Sequence, residues 1–254
     1  MAASCLTGPP AARGRLVGQN RDMKIRLRQV ALVAAELAAV EAEIEAALGV
    51  ELCFRDPGVG HFGLVNALYP IGDKLLEVVC PTEDGTTAGR LLDKRGGDGG
   101  YMVIFQVDDL DEMRRRLADA EARVVFEAVD AGVTGLHIHP RDVGGAIVSV
   151  DQTDDWEAWP WAGPTWQRNV RTEVVTDIVA VEIEADDPSA MAQRWNTVLG
   201  GDLDDTTVTF DEGAIRFVAA GERGEGVAGV DLAAAGAAAE VDLCGTRFRL
   251  VPTN

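Results

Sequence analysis

The sequence lacks the patterns of a metal-thiolate site, a disulfide framework or a membrane span. Its four cysteines are far apart and show no Cys-x-x-Cys spacing, so neither a structural zinc site nor a set of disulfides is indicated. No run approaches the roughly 18 to 20 apolar residues that span a bilayer. The N-terminus has no apolar core of a secretion signal. We therefore expect a cytoplasmic protein with no membrane partner.

Positive charge is also scarce. The 254 residues include 23 Lys+Arg against 42 Asp+Glu, a formal net charge of −19. Phosphate binding needs clustered basic side chains, so this balance argues against a nucleic-acid partner. The hydrophobic fraction of 47% is ordinary for a globular protein and excludes a mostly disordered chain.

An order of elements repeats along the chain from Met23. IRLRQVALVA (25–34) is typical of a strand, and apolar residues at helical spacing follow it as far as Gly49. Strands are predicted in ELCFRD, HFGLVNALYP and DKLLEVVCP. After the Gly-rich linker RGGDGG the same β-α-β-β-β order returns in YMVIFQV, a helix capped by Asp109, VVFEAV, TGLHIHP and GAIVSV.

Matching positions of the two units keep a constant offset. Gln29 and Met102 are 73 residues apart, and Glu77 and Ser149 are 72 apart, which indicates an internal duplication. A third copy begins with DIVAVEIEA and a helix that starts at Asp187-Pro188, and a shorter fourth copy lacks its helix. These patterns predict a disordered leader at 1–22, a complete domain at 23–153, a Trp-rich linker at 154–171 and a truncated second domain at 172–254.

Two tandem βαβββ modules with a carboxylate, or its replacement, in each last strand resemble the vicinal oxygen chelate superfamily. This group includes glyoxalase I, methylmalonyl-CoA epimerase, extradiol dioxygenases and bleomycin-resistance proteins. HPRDVGGAIVSVDQ (139–152) is similar to the last hairpin of the epimerases, and RQVALVA and DKLLEVVCP are similar to their first and fourth strands. The resemblance implies an α+β fold in which tandem βαβββ modules form curled mixed sheets with flanking helices. It further implies two glyoxalase-like domains, the second truncated.

The same resemblance implies a cup in which up to four side chains hold a divalent metal that chelates two substrate oxygens. The corresponding positions are Gln29, Glu77, Met102 and Ser149. Gln29 and Glu77 offer hard oxygen donors, whereas the thioether of Met102 suits hard divalent ions poorly. We expect either no cofactor or one weakly bound divalent metal on Gln29 and Glu77.

The second domain has no such ligand set. Its corresponding positions are about Ala180, Phe217 and Arg249. We therefore expect this domain to be structural, or to serve as a lid and interface element.

Glu77 is the predicted catalytic base. Strand alternation puts Glu77 on the concave face and its neighbours Leu76 and Val78 on the face toward the helix. An apolar cup raises the pKa of a carboxylate, which suits a base acting on a carbon acid. Alternatively, Glu77 pairs with an arginine or faces water. Gln29 either ligates metal, polarises a substrate carbonyl, or is satisfied within the sheet.

Histidines and tryptophans leave further alternatives open. His137 and His139 share one face of their strand. They lie on the side of Ser149 only if the numbers of two residues that pair across the hairpin add to an even value. His139 comes directly before Pro140, which favours a turn-stabilising role for it. His61 contacts substrate or lies in a surface loop. Together with Met102 and Ser149, His61 and His137 are the predicted substrate-binding residues. The four linker tryptophans line a ligand slot or, as we expect, staple the two domains together.

Three functional hypotheses follow. The first is an isomerase or lyase that acts on a small carbonyl or thioester compound by proton transfer at Glu77, with Gln29 polarising the oxygen. The second is a metal-free small-molecule binding protein like the bleomycin-resistance members. The third is a structural or regulatory partner with an inactive site. The resemblance also implies a homodimer.

Overall fold

The computed structural model describes residues 23–130 and 132–253, so the predicted leader at 1–22 lies outside the described residues. Its α+β fold contains two mixed sheets of seven strands each. The first sheet has the order β2-β3-β1-β4-β7-β6-β5. Its strands are β1 (Ile25–Val33), β2 (Leu64–Ile71), β3 (Lys74–Pro81), β4 (Gly99–Val107), β5 (Val124–Asp130), β6 (Val133–Ile138) and β7 (Ile147–Thr153).

The second sheet has the order β13-β14-β12-β8-β11-β10-β9. Its strands are β8 (Val175–Ala185), β9 (Asp202–Asp204), β10 (Thr207–Thr209), β11 (Ala214–Ala219), β12 (Gly226–Ala234), β13 (Ala239–Leu243) and β14 (Thr246–Pro252). The helices are α1 (Leu37–Leu48), α2 (Thr87–Arg95), α3 (Leu110–Asp119), α4 (Pro140–Val143) and α5 (Pro188–Leu199). Among the described residues, no helix combines the length and apolar character needed to cross a membrane.

Strand pairing shows the duplication directly. In the first sheet β1 runs parallel to β3, β4 runs parallel to β7, and the two central strands β1 and β4 are antiparallel. The second sheet repeats this arrangement. Its strand β8 runs parallel to β11, β12 runs parallel to β14, and the two central strands β8 and β12 are antiparallel. No helix separates β12 from β13 among the described residues, as predicted for the fourth module.

Helix boundaries follow the predicted capping residues. The Asp109 carboxylate accepts the backbone N–H of Glu112 at 2.8 Å, and Asp187 accepts that of Ala190 at 3.0 Å. Gly49 ends α1 in the left-handed conformation, φ 64°. The side-chain oxygens of Asp109 and Asp187 thus satisfy backbone N–H groups that have no partner inside the helix.

One predicted strand was wrong and one helix was not predicted. ELCFRD forms no strand, and only Phe54 makes an isolated bridge, to Leu68. Asp56 and Pro57 instead start a 3₁₀ helix, Pro57–Phe62, in which the Asp56 side chain accepts the N–H of Gly58. Helix α2 was not predicted, although Thr86 caps it by accepting the N–H of Gly89 at 2.9 Å.

The helix-bearing faces of both sheets meet in one hydrophobic core. Buried side chains of α1, α3 and α5 pack there with alternate residues of the central strands. Phe105 of β4 contacts Trp195 of α5 and Phe210, with ring centroids 6.3 and 4.8 Å apart. Residues of the first sheet and of the second are therefore buried against each other.

The Trp-rich segment, residues 154–171, packs on the opposite face of the first sheet. Trp159 and Trp166 are buried there with Ala31, Leu68 and Met102 in a separate cluster that contains no residue of the second sheet. The expectation that the tryptophans staple the two domains together was therefore wrong. The segment covers part of the open face of the first sheet, and the two sheets meet through the shared hydrophobic core and through strand contacts such as those between β4 and β12.

Candidate functional site

The open face of the first sheet surrounds a cavity of about 750 Å³, which we call the cup. Strands β1, β3, β4 and β7 contribute its floor. The 3₁₀ helix Pro57–Phe62, the edge strand β5 and Trp161 of the Trp-rich segment contribute its walls. Apolar walls with a few convergent polar groups are typical of small-molecule sites.

Gln29 and Glu77 are in contact within the cup. The Gln29 amide donates to Oε2 of Glu77 at 2.8 Å, and the Asn66 amide donates to Oε1 at 2.7 Å. The indole N–H of Trp159 donates to Oε1 of Gln29 at 2.7 Å. The sequence did not indicate Asn66 or Trp159 as partners. Both oxygens of Glu77 and the oxygen of Gln29 thus accept hydrogen bonds from protein N–H groups.

Glu77 lies in a desolvated environment. Its side chain is buried, with Leu75 on the same face, while Leu76 and Val78 pack in the core on the helix side. Burial raises the pKa of Glu77, whereas the hydrogen bonds from Asn66 and Gln29 lower it, and burial is the larger effect. The alternative in which Glu77 pairs with an arginine is not what the structure shows.

A second buried carboxylate, Asp151, was missed by the sequence analysis. Its Oδ1 accepts from the Ser149 hydroxyl and its Oδ2 from the Trp161 indole at 2.7 Å. A Cβ atom at Gly135 would lie 2.8 Å from Oδ1, so the glycine in β6 leaves room for the carboxylate. Asp151 follows Ser149 by two residues, and strand alternation could have placed it on the same face.

Asp151 titrates in the neutral range. Burial raises the pKa of Asp151 to about 7, although the hydrogen bonds from Ser149 and Trp161 oppose the rise. A carboxyl group with this pKa both accepts and returns a proton near pH 7. That property suits general acid–base chemistry better than a carboxylate at its ordinary value.

Two neutral hydrogen-bond donors line the same cavity. Burial and the charge of Glu77 raise the pKa of Tyr101 to about 12, so its hydroxyl keeps its proton. Burial lowers the pKa of His137 to about 4, so its imidazole is neutral and retains one N–H. His137 pairs with Ser149 across β6 and β7. The numbers of these two residues add to an even value, so His137 lies on the same side of the sheet as Ser149. The sequence had left this strand register open.

The remaining predicted residues lie at different depths. Met102 is buried on the cup floor and Ser149 is occupied by its bond to Asp151. His61 lies in the exposed 3₁₀ helix at the rim, with its ring edge against Phe62. His139 caps α4 by accepting the N–H of Arg141 at 3.1 Å, which is the turn-stabilising role expected for it.

The open face of the second sheet holds ion pairs. Glu182 and Asp231 are buried there and contact Arg216 and Arg249 at 2.6 to 3.2 Å. Phe217 lies in the core on the helix side, so Arg216 takes the position that the sequence analysis gave to Phe217. The two carboxylates are matched by guanidinium groups.

The residues at the family's metal positions do not fit a divalent metal. The oxygens of Gln29 and Glu77 face N–H donors, Met102 offers a thioether, and the Ser149 hydroxyl donates to Asp151. Among the described residues, no group of three or more His, Cys, Asp or Glu is arranged to hold a metal ion. A hard cation would need several of these oxygens freed at once.

Comparison with known proteins identifies epimerase relatives. No family model matches the chain. The ethylmalonyl-CoA/methylmalonyl-CoA epimerase of Cereibacter sphaeroides is 27% identical over 131 residues, which are 50% of this chain and 97% of the relative. The mitochondrial methylmalonyl-CoA epimerase of Mus musculus is 23% identical over 130 residues, 50% of this chain and 72% of the relative.

A solved structure shares the fold over both sheets. The crystal structure of a hypothetical protein from Staphylococcus aureus aligns with a TM-score of 0.69 at 13% identity, covering 90% of this chain and 99% of its own. The duplicated βαβββ modules, the two mixed sheets and the epimerase relatives agree with one another. Together, the fold and the epimerase relatives support membership of the vicinal oxygen chelate superfamily.

Proposed function

We propose that the protein is an isomerase that moves a proton next to the carbonyl group of a small carbonyl or thioester compound bound in the cup. The observation that supports this best is Asp151, a buried carboxyl group on the cup floor whose pKa is about 7. The two relatives are methylmalonyl-CoA epimerases, and epimerisation of an acyl-CoA thioester belongs to the same reaction class.

Asp151 and the polar groups around it have distinct roles in this proposal. Ser149 and Trp161 occupy one lone pair on each Asp151 oxygen, which leaves further lone pairs to accept a proton from a substrate carbon. The Tyr101 hydroxyl and the neutral His137 N–H stabilise the enolate oxygen that develops. The carboxyl group then returns the proton to the other face of that carbon or to an adjacent carbon. This yields an isomer of the substrate, and no net proton is consumed.

Glu77, with Gln29, is the other candidate for the proton acceptor. Its pKa is also raised by burial, but both of its oxygens already accept amide hydrogen bonds. In this proposal Glu77 fixes Gln29 and Asn66 in place. Separate variants of Asp151 and Glu77 show which of the two carboxylates accepts the proton.

Proton exchange tests the proposal. The protein, dialysed against EDTA, is incubated in D₂O with panels of 2-oxo compounds and acyl thioesters, and deuterium incorporation next to the carbonyl is followed by NMR. We expect incorporation to fall at least 100-fold in Asp151→Asn, since general acid–base groups contribute roughly that much or more. Exchange that survives in Asp151→Asn and disappears in Glu77→Gln would move the base to Glu77.

A metal-free binding protein is the second candidate function. The side chains of Trp159, Gln29, Glu77 and Asn66 hydrogen-bond to one another. This network favours a rigid binding surface over a group that reacts with a substrate. Such a protein would be stabilised by its ligand by RT ln(1+[L]/Kd) in a thermal-shift screen. Ligand binding without any proton exchange would favour this function over the isomerase.

A further inference from the structure

The cup is larger than a small carbonyl group requires. Its volume of about 750 Å³ lies within the range of roughly 300–1,000 Å³ in which proteins enclose drug-sized ligands. Asp151 and Tyr101 supply polar atoms for the proposed chemistry, whereas much of the remaining lining is apolar, with side chains such as Val59, Leu64 and Ile147. A substrate that fills the cup therefore has an apolar body attached to its carbonyl group.

Three rings meet at the rim of the cup, namely those of Phe62, Phe126 and His137, which we call the aromatic cage. Phe62 is the last residue of the 3₁₀ helix that precedes β2, and Phe126 lies on β5. Because β2 and β5 are the opposite edges of the first sheet, the curled sheet meets itself at these rings. Phe126 lies edge to face with Phe62 and with His137, with ring centroids 5.3 and 5.2 Å apart. The rings of Phe62 and His137 are within 23° of parallel, with centroids 6.5 Å apart.

The aromatic cage offers its surface to a ligand. All three rings line the cavity, and Phe62 and Phe126 are 44% and 36% exposed. Exposed apolar surface that is continuous with a cavity is typical of a binding site. Aromatic rings prefer offset-stacked or edge-to-face partners with centroids about 4.5–7 Å apart, and the cage presents two near-parallel rings and one ring at a steep angle to both. This arrangement favours a further aromatic ring over a saturated one.

The strand register relates the cage to the floor of the cup. Phe126 pairs with His137, and His137 pairs with Ser149, so Phe126 lies two strand spacings, roughly 10 Å, from Ser149. Asp151 comes two residues after Ser149, about 7 Å along β7. Its partner on β6 is Gly135, which has no side chain to block the path. A chain of a few carbons can therefore connect a ring in the cage with a carbonyl group at Asp151.

We propose that the aromatic cage determines the specificity of the cup by binding an aryl group that a short carbon chain joins to the reacting carbonyl. The aryl ring contacts Phe62 and Phe126, and the carbonyl group lies beside Asp151. This deepens the proposed function and rests on it for the position of the carbonyl. The preference for an aryl ring depends only on the shape and aromatic character of the cage.

Three uncharged ketones test the ring preference. The full chain is titrated with 4-phenylbutan-2-one, 4-cyclohexylbutan-2-one and butan-2-one, and binding is followed by ligand-observed NMR. We expect the phenyl ketone to bind at least threefold more tightly than the cyclohexyl ketone, because aromatic pairs contribute beyond the area they bury. We expect butan-2-one to bind at least tenfold more weakly than the phenyl ketone, since it has no apolar body. Equal or tighter binding of the cyclohexyl ketone, or no binding of the phenyl ketone, would overturn the proposal.

Variants tie the preference to the cage. Phe62→Leu and Phe126→Leu each keep an apolar side chain but remove one ring, and both positions are partly exposed, so we expect both variants to fold. Each should bring the Kd values of the phenyl and cyclohexyl ketones to within twofold of each other. Phe54→Leu is the matched control, because Phe54 packs against the cluster of the Trp-rich segment, and it should leave the ratio unchanged. An unchanged ratio in both cage variants would contradict the proposal.

Deuterium exchange separates this proposal from the isomerase. The same ketones are incubated with the protein in D₂O, and incorporation next to the carbonyl is measured. An aryl preference in binding without exchange would support the aromatic cage and remove the isomerase alone. Exchange that is equally fast for the three ketones and unaffected by Phe62→Leu would support the isomerase and remove the aromatic cage alone.

Discussion

Burial decides which protonation state each polar group of the cup adopts. Asp151 and His137 lie on the neighbouring strands β7 and β6, yet their pKa values move in opposite directions because burial disfavours the charged form of each. The acid is retained to about pH 7 and the imidazole is neutral above about pH 4. Between these values the cup offers an acid, a neutral donor and a phenol at once.

The raised pKa of Asp151 gives a pH-dependent stability. Its folded pKa of about 7 exceeds its ordinary value of 3.8, so between these values the folded state holds the proton more tightly. The protonated carboxyl group therefore adds up to about 4 kcal/mol to the free energy of unfolding. This contribution is fully present below about pH 4 and is lost as the pH rises to about 7. We expect Asp151→Asn to remove it.

Chemical denaturation from pH 4.5 to 7.5 measures this difference. The wild type should lose stability relative to Asp151→Asn as the pH rises. His137 has the opposite sign, since its stabilising contribution is lost as the pH falls from 6.5 to about 4, but it is common to both proteins and cancels. Glu127→Gln, at an exposed ion pair, serves as the control. Parallel curves for wild type and Asp151→Asn would contradict the buried, protonated carboxyl group.

Trp159 is predicted to hold the Gln29 and Glu77 network in place. In Trp159→Phe the Gln29 oxygen loses its donor at a buried position, which costs about 1–3 kcal/mol of unfolding free energy beyond the change in packing. Trp166→Phe, in the same buried cluster but outside the network, is the matched control. Urea denaturation of both variants gives the comparison, and equal losses would show that the hydrogen bond contributes nothing.

At the scale of elements, local signals predicted the helices best. A side-chain cap acts within three residues, so Asp109 and Asp187 indicate their helices without tertiary information. ELCFRD has strand composition, but Asp56 and Pro57 favour a 3₁₀ turn over further pairing. The Trp-rich segment shows a limit of the sequence, because an aromatic cluster does not reveal which face of which sheet it covers.

Capping of α5 gives an element-scale prediction. Asp187→Ala removes the oxygen that accepts the Ala190 N–H, and we expect it to lower the free energy of unfolding by about 0.5–2 kcal/mol. Asp186→Ala, one residue earlier and outside the cap, should change stability by less than about 0.5 kcal/mol. Thermal denaturation of the two variants suffices, and equal destabilisation would refute the cap.

At the scale of the whole molecule, the two sheets bury a common core. The sequence indicated the α+β modules and their duplication through strand and helix periodicity, which depends on local pattern. It could not indicate that the helix faces of the two sheets meet, because Phe105 and Trp195 are distant in sequence and come together only on folding. The boundaries 23–153, 154–171 and 172–254, the homodimer and the cytoplasmic location stay predictions.

Unfolding should therefore be cooperative. We expect one transition in calorimetry, with the two sheets unfolding together, and we expect Trp195→Ala to destabilise both sheets by about 3–5 kcal/mol because its ring fills the shared core. Val251→Ala, at an exposed position of β14, is the control. Two separate transitions, only one of them shifted by Trp195→Ala, would show that the sheets fold independently.

Titration of Asp151 in the folded protein is the sharpest check on the proposed base, because it needs no substrate. Carbon-13 NMR of the side-chain carboxyl groups, with Asp151→Asn to assign the resonance, gives its apparent pKa in the folded protein. We expect a midpoint near pH 7. A midpoint near pH 4, the ordinary value for an aspartate, would contradict it and remove the proposed base.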